Sequence, residues 1–160
     1  MTRLQTKSLA AAPDAVAPDG TSVRLLTSLS GGSFAHFELP AGAASQAVAH
    51  HTVEEIWYFV SGRGEVWRRR GADSNVVSVA PGVSLTIPLG THFQFRAEAG
   101  APLAFVAVTM PPWPGAEEAF RVKGLWEPTV AGGVRSKNAP LLPRGRRADS
   151  EWRPWRGEPV

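Results

Sequence analysis

The sequence predicts an all-β chain, a single antiparallel β-barrel or sandwich with irregular arms at both ends. Three observations carry this reading. Between Val23 and Met110, short runs rich in Val, Ile, Phe, Trp and Thr succeed one another, and these residue types suit a pleated, half-buried surface. Gly and Pro punctuate the runs at intervals of about 8–12 residues, the rhythm of a sandwich or barrel. Helical periodicity is nearly absent.

The elements follow in order. "VRLLTSL" begins at Val23 and ends before Gly31-Gly32. "SFAHFEL" sets Phe34, His36 and Glu38 on one face against Ala35, Phe37 and Leu39 on the other, and stops at Pro40-Ala41-Gly42. "SQAVAH" runs into the adjacent histidines His50 and His51. "EIWYFVSG" and "EVWRR" flank a turn at Gly62/Gly64, where glycine supplies the backbone freedom a turn needs. "NVVSVA" follows Gly71, and "VSLTIP" follows Pro81-Gly82. "HFQFRA" comes after Pro88/Gly90 and alternates His92, Gln94 and Arg96 with Phe93 and Phe95, either face being open to the interior. "LAFVAVTM" closes the series after Gly100.

The organisation that follows is a flexible arm over 1–20, a barrel over 21–110, an ordered irregular arm over 111–130 and a Pro/Arg-rich tail over 131–160. Residues 111–160 hold 8 of the 14 prolines, and the tail has few aliphatic residues to bury, so it is expected to be flexible.

Composition narrows the function classes. The chain has 160 residues, one domain's worth, and no cysteine, so disulfides and thiolate chemistry are excluded. No apolar run approaches the roughly 20 residues that cross a bilayer. The alanines near the N-terminus are broken by Pro13 and Asp14, too weak a pattern for a signal peptide, and a cytoplasmic location is expected. The sequence pI is about 9.9, yet residues 1–120 carry 8 Lys/Arg against 10 Asp/Glu while residues 121–160 carry 9 against 4. Basicity that belongs to a tail is not the basic folded face of a nucleic-acid binder. Arg68-Arg69-Arg70, the one cluster in the barrel, reads as a solvated hairpin end.

Two stretches carry a family resemblance. In the first, Gly42 is followed by five residues, Val48, Ala49, His50, four residues, Glu55, six residues and Gly62. In the second, Gly82 is followed by five residues and Pro88-Leu89-Gly90, with His92 and Phe93 next. These spacings resemble the two motifs of the cupin superfamily over roughly residues 23 to 110. The first cupin motif places His-x-His and a Glu between two glycines; the second places a histidine three residues after Pro-x-Gly. Here Val48 stands in the first histidine slot and Phe93 in the last, with Ala97 in place of the closing Asn. His51 offers a second register, with Ala49 in the first slot.

The resemblance implies a small jelly-roll barrel with three imidazoles and a carboxylate pointing inward, a donor mix suited to Fe, Mn, Ni, Cu or Zn. Of that set the motifs retain His50 and Glu55. His36 and His92 are the candidates to complete it, with His51 and Gln94 as alternates. The plainer readings are a buried His–carboxylate hydrogen bond for the motif pair, a structural imidazole for His36 and a turn-end residue for His92. Gln94, Arg96 and Trp57 are candidate substrate contacts, Arg96 being a natural fork for a carboxylate. Two function classes stand. One is an enzyme acting on a small polar or acidic metabolite, with His50 and Glu55 in catalysis and a divalent transition metal held by the non-standard set; it could be an oxygenase, an isomerase or a lyase, and a metal-free version would use His50 and Glu55 as acid and base. The other is a non-catalytic barrel that only binds a small molecule. No nucleotide cofactor is implied. An exposed edge at "VRLLTSL" predicts a homodimer.

Overall fold

The structure, a computed structural model, describes residues 3–132. Eleven strands appear in chain order: β1 (Ala15–Val16), β2 (Ser22–Leu29), β3 (Gly32–Leu39), β4 (Val48–His50), β5 (Glu54–Ser61), β6 (Gly64–Arg70), β7 (Asp73–Val79), β8 (Ser84–Ile87), β9 (His92–Ala97), β10 (Leu103–Met110) and β11 (Ala119–Arg121). Among the described residues the only helix is a single 3-10 turn at Ala116–Glu118. Every apolar run of the sequence becomes a strand, and β1 and β11 arise in the arms.

Two antiparallel sheets face each other as a jelly roll, ordered β1-β2-β3-β10-β5-β8 and β11-β4-β9-β6-β7. The core lies between them, because alternate residues of each strand point inward. Trp57 stacks on Phe105 with ring centroids 4.1 Å apart, and Phe37 stacks on the same ring at 5.1 Å. Phe93 and Phe95 from the opposite sheet meet Trp57 edge-on at 5.4 and 5.3 Å. Edge-to-face and offset contacts of this kind add stabilisation beyond area burial. Gly62 closes the β5–β6 hairpin at φ 76°, and a Cβ there would run into the Pro102 carbonyl, so no larger residue fits the turn.

The arms are built into this frame. Residues 10–20 lie along the barrel, in hydrogen-bond contact with β2. Arg24 donates to the carbonyls of Ala10 and Ala11, and the Leu25 N–H donates to Asp14 Oδ2 at 2.8 Å. Gln5 Oε1 accepts from the Ser28 N–H at 3.3 Å. Two N–H donors of β2, those of Leu25 and Ser28, are thus answered by side chains of the same chain, one of the ways proteins blunt an open edge. At the other end, β11 pairs with β4, and Thr129 exchanges two hydrogen bonds with Ala44. The flexibility expected for the tail concerns 133–160 almost entirely, outside the described residues.

Candidate functional site

His50 ends β4, where Val48 lies opposite Phe93 on β9. That register turns His50 into the barrel, while His51 is exposed and lies against Phe120 with centroids 4.4 Å apart. Glu118 fixes the corner between β4 and β5. Its carboxylate accepts from the Val53 N–H at 2.8 Å, from the Thr52 N–H and from Thr52 Oγ1, and its carbonyl accepts from the His51 N–H.

His50 lines an internal cavity of about 40 Å³ together with Glu55, Trp57, Thr109, Trp113 and Asp19. A volume of this size holds a few waters. The His50 ring meets Phe93 and Trp113 edge-on at 5.2 and 5.1 Å, and its buried Nδ1 has no hydrogen-bond partner among the described residues. Glu55 is also buried. Its Oε2 accepts from Trp57 Nε1 at 2.7 Å and its Oε1 from Thr109 Oγ1 at 2.9 Å. Asp19, 7% exposed, spends Oδ1 on the N–H and hydroxyl of Thr21. Burial pushes the Asp19 carboxyl above the ordinary carboxylate value; the two Thr21 bonds oppose this, and Glu55 adds to it.

The other candidates point elsewhere. His36 lies on the outer face of β3, between Arg24 and Val106, with Ala35 and Phe37 facing the core. Burial and then Arg24 lower its pKa below the usual histidine value. His92 shares the outer face of β9, its Nδ1 3.2 Å from Arg69 Nη2, and burial and Arg69 lower its pKa as well. Gln94 is 0% exposed on that same outer face. Its Nε2 donates to the carbonyls of Ser45 and Trp126, and its Oε1 accepts from the N–H groups of Leu125 and Trp126. Both amide ends are satisfied, so Gln94 clamps the C-terminal arm. Arg96 pairs with Glu65 through Nε at 2.7 Å and lies 4.5 Å over the Trp126 ring, also outside the barrel.

The metal set implied by the motifs therefore does not assemble. His36, His92 and Gln94 face away from His50, and His51 is outside. Val48 and Phe93 are core residues, and both Glu55 oxygens are engaged by donors. Among the described residues no group of three or more His, Cys, Asp or Glu side chains is placed to hold one ion.

Asp19 and Thr109 are cavity residues with oxygen side chains that were not among the sequence candidates. Asp19 sits in Pro18-Asp19-Gly20, which reads as turn punctuation, but Asp followed two residues later by Thr is also the pattern of a locally hydrogen-bonded turn. Thr109 is the polar member of the inward series Phe105, Ala107, Thr109, and that alternation was visible in "LAFVAVTM".

Residues 35–109 match the family model described as "Cupin domain". The fold is a cupin fold. Among solved structures the cupin resembles an oxalate decarboxylase from Bacillus subtilis, with a TM-score of 0.62 and 15% identity over 76% of this chain and 33% of that one. The capsular polysaccharide assembling protein CapF from Staphylococcus aureus aligns with a TM-score of 0.55 and 16% identity over 66% of this chain and 33% of its own. An uncharacterized conserved protein with a double-stranded beta-helix domain from Klebsiella pneumoniae aligns at 0.53 and 14% over 65% and 85%. The aligned region thus spans about a third of the first two proteins. At these identities the likeness shows the fold alone. No curated protein sequence matches the chain. Among the described residues no helix is long and apolar enough to cross a membrane.

Proposed function

We propose that this cupin is a small-molecule-binding barrel that works without a resident transition metal, with His50 as the polar group that meets the ligand. The surroundings of His50 carry the reading. Its Nδ1 is buried among aromatic side chains without a partner among the described residues, and the one motif carboxylate is already committed to Trp57 and Thr109. An unanswered buried nitrogen costs about 1–3 kcal/mol, which a ligand or ordered water bonded to it would offset. A cleft lined mainly by aromatic groups with a few polar ones is the usual form of a small-molecule site.

An enzymatic reading has one specific support. An imidazole can both give and take a proton, and His50 lines the cavity where a bound molecule would sit. Of the oxygenase, isomerase and lyase chemistries suggested by the family resemblance, isomerisation or elimination by proton transfer is the kind His50 serves without a metal. A homodimer over the outer face of the six-stranded sheet and a cytoplasmic location, which suits a cysteine-free chain, complete the proposal.

Elemental analysis of tag-free protein, combined with a thermal-shift ligand screen, tests this. The expected result is well under one equivalent of transition metal, a melting temperature indifferent to EDTA, and a ligand that stabilises the wild type but not His50→Ala. One equivalent of metal lost on His50→Ala or Glu55→Ala would overturn the metal-free reading.

A further inference from the structure

The charge balance of the cavity says what kind of molecule completes it. Asp19 and Glu55 are both buried there, and among the described residues no Lys or Arg side chain lines it. Glu55 receives two neutral donors, while Asp19 Oδ2 makes no hydrogen bond among the described residues. His50 is the one cavity group whose charge would favour the Asp19 carboxylate, and the two buried carboxylates outnumber it, which is unfavourable unless something further pairs with them. His50, which is 7% exposed, lines the same cavity, and its buried Nδ1 has no hydrogen-bond partner among the described residues, an independent sign that the site is incomplete. The walls add a further preference. Trp57, Phe93 and Trp113 present aromatic rings, whose faces attract cations.

We infer that the barrel binds a small organic monocation, an ammonium or guanidinium on a compact apolar body, with Asp19 and Glu55 as its counter-charges. The inference rests on the proposal that the barrel interior is a ligand site and goes beyond it by naming the ligand class. The cavity of about 40 Å³ takes only the charged head, so the body extends toward the half-buried Leu25, Leu26 and Phe34 that also line it. An acidic metabolite meets the opposite situation. The cation that would receive its carboxylate, Arg96, is on the outer surface and paired with Glu65. Inside, such a molecule faces like charge.

Matched probes separate the possibilities: propylammonium, 1-propanol and propionate, and benzylamine, benzyl alcohol and benzoate. Binding is read by ligand-observed NMR and calorimetry on the full chain. At least one amine should bind ten-fold or more tightly than its alcohol and acid partners. Asp19→Asn should remove most of that advantage while leaving alcohol binding unchanged. The ranking in the unaltered protein decides the matter even where the variant fails to fold. An acid or alcohol that equals or exceeds its amine overturns the cation inference and leaves the ligand-site reading standing. Absence of binding by all six overturns both.

Discussion

Trp57 and Glu55, two residues apart on β5, share a hydrogen bond of 2.7 Å from the indole Nε1 to Oε2. The motif carboxylate is thus held by its own strand, with Thr109 of β10 taking the other oxygen. Alternation on the strand puts both side chains on the inner face. Trp57 is at once a core ring and the donor that fixes the acid.

This pair makes the first prediction. Trp57→Phe keeps most of the ring's apolar contacts but leaves one carboxylate oxygen without its donor. The loss expected is about 1–3 kcal/mol, more than for Thr109→Val, because the indole bond is the shorter of the two, 2.7 against 2.9 Å. Denaturant unfolding of the two variants checks the order.

Asp19 makes the second. Burial raises its carboxyl above the ordinary value of 3.8, the Thr21 bonds work against that, and Glu55 pushes the same way as burial. A raised folded-state value means the folded chain holds the proton more tightly than the unfolded chain. The associated stability is complete below pH 3.8 and is lost as the pH rises through the folded value. At pH 7 the buried carboxyl therefore costs stability relative to low pH. Asp19→Asn, which keeps an oxygen for Thr21, should therefore raise stability at pH 7 by on the order of 1 kcal/mol, about 2–4 °C in Tm. The gain should vanish near pH 3. Melting curves at the two pH values read it directly.

Gln94 makes the third. Gln94→Leu leaves the carbonyls of Ser45 and Trp126 and the N–H groups of Leu125 and Trp126 unanswered. Gly124 packs so closely on Gln94 Oε1 that a Cβ there would collide with it, so arm and amide are fitted to one another. Loss of at least about 2 kcal/mol is expected, with faster tryptic cleavage after Lys123. A variant as stable and as protease-resistant as the wild type would refute the clamp.

The outer sheet face makes the fourth. Ile56, Tyr58, Val60 and Val108 are all exposed on it, between 36% and 49%. An apolar patch of this kind marks an interaction surface, and pairing of two copies over it is expected. Sedimentation at micromolar concentration should show a dimer that Tyr58→Glu converts to monomer. A wild-type monomer would sink the pairing.

What the sequence by itself determined is the strand content and the motif pattern. The apolar runs with their Gly and Pro breaks became β2 to β10, because period-two patterning and turn chemistry are local properties of the chain. The departures at Val48 and Phe93 were equally legible, since motif spacing is read residue by residue. Tertiary structure decided which face of each strand turns inward. On β3 and β9 alternation separates two faces but does not say which one meets the core. His36 proved to lie outside, and Gln94 is buried outside because the C-terminal arm covers that face. Asp19 enters the cavity only because β1 pairs with β2 and the Asp19 carbonyl accepts from the Gln46 N–H. Such contacts join residues far apart in the chain, and no local pattern encodes them.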